Sequence, residues 1–286
     1  MKTLLLLLSL MVPAVTMAQA NPEPYKLFNQ KGKKTKYKKL LKAAQEADVI
    51  LFGEIHNNAI AHWLQHTLVR DLTRATSLSL GLEMFETDQR QGLTDYLAGE
   101  ITVEELDEIG SGVWSNFKTD YQPMVDFVSQ EGLAVVATNV PRRYASLVFQ
   151  EGFAALDNLS ETEKAYLPPL PVPYDAELPA YVRMLEMMPE IHTGATFPMA
   201  QAIKDATMAY SITQHRKDGV PFLHLNGSYH SDDFEGIGWY LKQYAPELKV
   251  VTITTIEQEN IAGLLSENIG KAHFTLATPS LMTKTY

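Results

Sequence analysis

In the segment 47-ADVILFGEIHNN-58, an apolar run is followed by a glycine, a carboxylate and an imidazole. Residues 47–54 are predicted to form a buried strand, because the run is continuously apolar and does not alternate with polar residues. Glu54 and His56 follow at the point where the strand ends. Ligands of α/β sheets bind beyond the carboxyl ends of the strands, so this pair indicates chemistry if other groups meet it there.

Apolar runs and helical patterns alternate along the rest of the chain, which predicts an α/β fold with a mainly parallel sheet and helices on both faces. The six predicted strands span residues 47–54, 77–84, 133–139, 220–227, 248–256 and 273–278. A helical insertion or subdomain is expected between the third and fourth of these strands, over residues 141–219. The proline-rich stretch 167-LPPLPVPYD-175 interrupts its helical patterns.

The amino terminus has the features of a secretory signal peptide over residues 1–20. It carries Lys2, then an apolar run from residue 4 to residue 11, then Ala-Gln-Ala at 18–20. The run is too short to cross a bilayer, which favours cleavage over a retained anchor. We therefore expect a mature chain that begins at Asn21, is exported to the periplasm or another extracytoplasmic space, and has no transmembrane span.

Composition narrows the class of protein. The chain has 286 residues and a net charge of −10, which argues against a nucleic-acid partner. It contains no cysteine, which argues against disulfides and against lipidation on cysteine. One basic cluster lies at 31–39, and we interpret residues 21–44 as a solvated basic lead-in, the alternative being a docking patch. The α/β domain is then predicted to comprise residues 45–140 and 220–286. The sequence leaves open whether the chain forms a homodimer.

A G-x-x-H motif occurs twice, each time just after a predicted strand. The first is 53-GEIH-56 and the second is 227-GSYH-230. Glu83 lies at the end of the second predicted strand and Asn139 at the end of the third. Because parallel strands place their carboxyl ends at one edge of the sheet, we expect these four side chains to converge there.

Two imidazoles and a carboxylate are the ligand set of many metal sites. His56, His230 and Glu83 are therefore candidate ligands of a divalent metal ion. Glu54 or Glu86 would then orient an imidazole or act as the general base that activates water. This pattern predicts a metal-dependent hydrolase as one function class.

Other residues at metal-ligand spacing have simpler explanations. His62 and His66 lie four residues apart on the first long helix, but no partner motif follows, which favours a packing or solvated face. Methionines recur in the helical segment, where filling gaps in the core is favoured over iron ligation. They are Met184, Met187, Met188, Met199 and Met208.

Five patterns occur in order within residues 45–257, namely G-E-x-H, E-M-F, A-x-N-x-P-R, D-x-x-M-A and G-x-x-H. Together they resemble the ChaN family of haem-binding uptake proteins, in the wider Tiki, TraB and erythromycin-esterase superfamily. The resemblance implies an α/β domain with a helical subdomain, haem as the cofactor, and a role in haem or iron uptake. Carried over by position, the family's polar residues are Glu54, His56, Glu83, Tyr121, Asn139, Arg142, Gln201, Asp205 and His230.

Haem binding is thus the second function class, and it is the favoured one. Haem needs an axial donor, flat apolar walls and a cation for its propionates. Asn139 and Arg142 are assigned to this site, with Arg143 as an alternative contact for a propionate. The candidate axial donors are His56, His230, Tyr121 and Tyr229.

Overall fold

A sheet of seven strands forms the centre of the protein in the computed structural model, which describes residues 22–187 and 196–286. The predicted signal peptide (1–20), Asn21 and Met188 lie outside the described residues. The strands are β1 Lys26–Asn29, β2 Val49–Glu54, β3 Ser79–Glu86, β4 Ala134–Asn139, β5 Phe222–Gly227, β6 Val250–Gln258 and β7 Phe274–Pro279. Their order across the sheet is β1-β7-β6-β2-β5-β3-β4.

The sheet is parallel except at one edge, where β1 pairs antiparallel with β7. The prediction of a mainly parallel α/β fold is therefore confirmed. The six predicted strands correspond to β2 through β7. The segment interpreted as a basic lead-in contains β1 and most of the first helix, so it belongs to the fold.

Helices cover both faces of the sheet, as predicted. They are α1 Tyr37–Gln45, α2 Ala59–Ala75, α3 Arg90–Leu97, α4 Val103–Asp107, α5 Gln122–Gln130, α6 Arg142–Glu151, α7 Glu161–Lys164, α8 Pro179–Met187, α9 Thr196–His215 and α10 Ile237–Tyr244. Side chains of β2 alternate between the faces. Ile50 and Phe52 join the core that includes α1, α2 and α5, whereas Val49 and Leu51 join the core that includes α6, α9 and α10. Burying one such side chain contributes about 1.5–3 kcal/mol, so β2 is fixed from both sides.

The chain between β4 and β5 contains helices α6 to α9. Helix α9 packs against β4, α6 and α10, and its buried face includes Ile203, Ala206 and Ile212. This helix is therefore part of the layer that covers the sheet. That the whole segment forms a subdomain of its own stays a prediction. Among the described residues, no helix is both long enough and apolar enough to span a membrane.

Candidate functional site

Four neighbouring strands deliver polar side chains to one edge of the sheet. Strand β5 lies between β2 and β3, and β3 pairs in turn with β4. The last residue of β2, Glu54, stands opposite Gly227, the last residue of β5. His56 and His230 therefore follow adjacent strands, and Glu83 reaches the same edge from β3. A register irregularity in β3 between Leu82 and Glu86 accompanies this edge, as bulges often do near sites.

The glycines of the two G-x-x-H motifs each pack against the other motif. A Cβ atom added to Gly53 would lie 2.8 Å from the backbone Cα of Ser228. A Cβ atom added to Gly227 would lie 2.9 Å from both Cε1 and Nε2 of His56. Both approaches are closer than real Cβ contacts allow. The neighbour of Gly53 is main chain, so glycine is required there, whereas a Cβ atom at Gly227 would displace the His56 ring.

Glu54 is fully buried and holds the His56 ring. Its Oε1 atom lies 3.0 Å from His56 Nδ1 and also accepts a short hydrogen bond from the Tyr121 hydroxyl. Its Oε2 atom accepts a hydrogen bond of 2.6 Å from Gln65 Nε2. A carboxylate only accepts, so His56 donates from Nδ1 and leaves the lone pair on Nε2. The His56 side chain is 37% exposed, and the edge of Trp114 packs against its ring at 4.8 Å between centroids.

The backbone carbonyl of His56 is held from a second direction. It accepts hydrogen bonds of 3.0 Å from both Asn116 Nδ2 and His62 Nε2. Asn116 Nδ2 also donates to Asp120 Oδ2 at 2.7 Å, and His62 Nε2 lies 3.4 Å from the same oxygen. Both the ring and the main chain of His56 are thus fixed by buried groups.

His230 has carboxylates at both of its ring nitrogens. Nδ1 lies 2.5 Å from Asp205 Oδ1, and Nε2 lies 3.2 Å from Glu83 Oε1. The other oxygen of Glu83 accepts a hydrogen bond of 2.6 Å from the backbone N–H of Gly227. Gln201 Nε2 lies 2.8 Å from His230 Nδ1. His230, Glu83 and Asp205 are buried and together form an ionic cluster.

The pKa values of both histidines are raised by neighbouring carboxylates. Burial alone would lower the pKa of His230, but the charges of Glu83 and Asp205 raise it to about 10. Burial would raise the pKa of Glu83, but the His230 charge lowers it to about 2. Burial also opposes protonation of His56, and there the hydrogen bond to Glu54 and the Glu83 charge raise the pKa above its ordinary value. Burial raises the pKa of Asp205, although the charge of His230 opposes the rise.

The predicted metal site is not supported by this geometry. In the part of the chain that the structure describes, no three His, Asp or Glu side chains are arranged to hold a metal ion. The physical reason is that the proposed ligands bind one another. Both ring nitrogens of His230 face carboxylates, and both oxygens of Glu83 already have donors. The divalent-metal alternative therefore loses its ligand set.

A groove of about 350 Å³ opens beside this network, between α6, α9 and the ends of β3 and β4. Its apolar walls include Trp114 and the edge-to-face pair Phe149 and Phe197, whose centroids are 6.0 Å apart. Arg142 and Lys204 also line it. A smaller recess of about 220 Å³ shares several of its lining residues, namely Glu83, Glu86, Trp114, Asn139 and Arg142.

The predicted site residues fall into distinct positions around this groove. Asn139 and Arg142 line it, Asn139 donating to the Glu83 carbonyl at 3.1 Å. Glu86 also lines it; one of its buried oxygens has no partner in the described structure, and burial raises its pKa. Tyr121 is fully buried, and its hydroxyl is occupied by Glu54. The Tyr229 side chain is 37% exposed, but its hydroxyl donates to the Ala180 carbonyl at 2.8 Å.

Several residues of the site were not assigned a role from the sequence. Gln65, Asn116 and Asp120 complete the surroundings of His56. His62 was interpreted as a packing or solvated residue, and it is buried with its ring on the His56 carbonyl. One available signal was the phase of α2, on which His62 and Gln65 lie three residues apart and face the same side.

The model of the family described as haem-binding uptake, Tiki superfamily, ChaN, matches residues 40–241. The chain therefore belongs to the ChaN-like haem-binding uptake family, which confirms the resemblance found in the sequence. No curated protein matches the sequence significantly.

Solved structures with the same fold are distant in sequence. One is ChaN of Campylobacter jejuni, described for cofacial haem binding, with 17% identity and a TM-score of 0.67 over 90% of this chain and 97% of that chain. Another is a Bacillus cereus protein with 12% identity and a TM-score of 0.50, covering 89% of this chain and 94% of that one. At these identities the likeness establishes the fold.

Proposed function

We propose that this protein binds haem in the groove beside His56 and serves haem or iron uptake outside the cytoplasm. The observation that carries the proposal is the state of His56 itself. Its Nδ1 atom is fixed on Glu54, its side chain is 37% exposed, and its free lone pair is on Nε2. An imidazole held by a carboxylate in this way is a suitable axial donor to haem iron.

The groove supplies the other two requirements of a haem site. Trp114, Phe149 and Phe197 provide flat apolar walls. Arg142 and Lys204 provide positive charge for the propionates. The sequence left Arg142 and Arg143 as alternatives, and the structure favours Arg142, because Arg143 is paired with Asp88. Bound haem would supply its own iron and ring chemistry, and the protein would bind and orient it.

The remaining candidate donors have other partners. His230 holds two carboxylates, Tyr121 donates to Glu54, and Tyr229 donates to a main-chain carbonyl. The role proposed for these residues is to hold the site in shape.

Export is proposed from the signal sequence, and amino-terminal sequencing of protein from the periplasm should return a chain that starts at Asn21. A chain that retains Met1 would contradict it.

The test of haem binding is a hemin titration of the purified protein, followed by the Soret band. We expect one hemin per chain with a micromolar or tighter dissociation constant. His56→Ala should weaken binding by about tenfold or more and shift the Soret maximum, because it removes the donor to the iron.

The matched control is His66→Ala, on the neighbouring helix α2, where the ring packs beside Phe127. This variant should bind like the wild type. An absence of saturable Soret change in folded wild-type protein would refute haem binding. Equal affinities of the His56 and His66 variants would refute the assignment of His56.

A further inference from the structure

The carboxy-terminal segment Lys284–Tyr286 lies against the loop that carries His56. The backbone of Lys284 forms an antiparallel bridge with Asn58. The N–H of Thr285 donates to the Asn57 carbonyl at 3.1 Å, and Asn57 Nδ2 returns a hydrogen bond of 3.4 Å to the Tyr286 carbonyl. The segment therefore pairs in a strand-like way with the residues directly after His56, although the two lie more than 220 residues apart in the sequence.

Thr285 connects this contact to the main chain of His56. Its hydroxyl donates to Asp120 Oδ2 at 2.7 Å. Asp120 is nearly buried and accepts at the same oxygen from Asn116, which also donates to the His56 carbonyl. A side chain of the terminal segment thus reaches the His56 backbone through two intermediates.

Lys284 anchors the other side of the segment. Its ammonium group forms a short ion pair with Glu257 at the end of β6. Glu257 also accepts from Asn58 Nδ2 at 2.8 Å, and the Asn58 side chain caps α2 by accepting from the N–H of Ala61 at 3.0 Å. The start of α2, the end of β6 and the terminal segment are therefore linked on the loop that follows His56.

We infer that Lys284–Tyr286 are positioning residues of the ligand site, which hold the loop 55–58 and so fix the position of the His56 ring beside Trp114, a residue that lines the groove. The effect on haem rests on the proposed function, whereas the effect on the loop does not. Removing the Thr285 hydroxyl leaves the buried Asp120 carboxylate with one donor fewer, and Asn116 is then drawn away from the His56 carbonyl. A buried hydrogen bond to a charged group is strong enough to make this measurable.

The experiment uses Thr285→Val, which keeps the shape of the side chain and removes the hydroxyl. Thr285→Ser keeps the hydroxyl and should behave like the wild type. Thr283→Val is the matched control, because Thr283 directly precedes the segment and is exposed. Amide hydrogen exchange is measured by mass spectrometry on the full chain without hemin, and hemin affinity is measured by Soret titration.

In Thr285→Val, amides of residues 55–58 should exchange about three- to tenfold faster and hemin should bind about three- to tenfold more weakly. Thr285→Ser and Thr283→Val should stay within about twofold of the wild type on both measures. Unchanged exchange in Thr285→Val would overturn the inference, and so would faster exchange with unchanged hemin affinity. If the wild type binds no hemin, the proposed function fails, and the exchange measurement alone decides whether the segment holds the loop.

Discussion

Replacing His230 by alanine tests the ionic cluster at the centre of the site. The substitution leaves the carboxylates of Glu83 and Asp205 buried without their counter-charge, with side chains 7% and 1% exposed. The rise in the pKa of His230 from 6.5 to about 10 corresponds to roughly 5 kcal/mol of favourable interaction. The fall in the pKa of Glu83 from 4.5 to about 2 corresponds to roughly 3 kcal/mol.

Breaking a buried ion pair by removing one partner costs about 3–5 kcal/mol, in the same range. We therefore expect His230→Ala to lower the free energy of unfolding by about 3–4 kcal/mol at neutral pH. Urea unfolding followed by far-ultraviolet circular dichroism measures this value, with His215→Ala as the control. The His215 ring is bonded to a main-chain carbonyl of its own helix.

The direction of the pH dependence gives a second readout. In the wild type, the contribution of His230 is fully present below pH 6.5 and is lost as the pH rises through about 10. The contribution of Glu83 is present above pH 4.5 and is lost as the pH falls through about 2. In His230→Ala, both carboxylates lack a cation and take up protons more readily than in the unfolded chain. The stability of the variant should therefore rise as the pH falls from about 7 to about 5. A variant within about 1 kcal/mol of the wild type, or with unchanged pH dependence, would refute the reasoning.

Three further outcomes are expected. Gly227→Ala should weaken hemin binding with little loss of helical signal, because its Cβ would lie 2.9 Å from the His56 ring; Soret titration checks this, and wild-type affinity would contradict it. Hemin affinity should fall as the pH drops below the raised pKa of His56, since protonation removes the lone pair, and Glu54→Gln should move this fall to lower pH in a pH series of titrations. Phe52→Ala should lower the free energy of unfolding by about 3–5 kcal/mol in urea melts, because Phe52 is 0% exposed in the core.

The parallel core of the fold was predictable, because its strands are continuous apolar runs bounded by glycine or polar residues. Strand β1 was not, since Lys26–Asn29 is short and contains two buried apolar residues, Leu27 and Phe28. It forms by pairing with β7, a contact across almost the whole chain that no local pattern reveals.

The candidate site was predictable where it depends on strand ends. His56, Glu83 and His230 reach one edge because parallel strands share a direction. The partners that fix them come from helices and from the end of the chain, as Asp120 and Thr285 illustrate. Which helical residue faces a strand end depends on how the helix is placed across the sheet, and the sequence pattern gives only its phase.

The structure shows what the carboxylates at this edge of the sheet bind. Glu83 and Asp205 both hold His230, and Glu54 holds His56. The two histidines are therefore not equivalent, although their motifs are alike. Both ring nitrogens of His230 face carboxylates inside the protein, whereas His56 contacts a carboxylate through one ring nitrogen and its side chain is 37% exposed. A ligand that needs one nitrogen donor beside an apolar wall would therefore bind at His56. The buried cluster around His230 supports that site, because Glu83 also accepts from the N–H of Gly227, the residue against which the His56 ring packs.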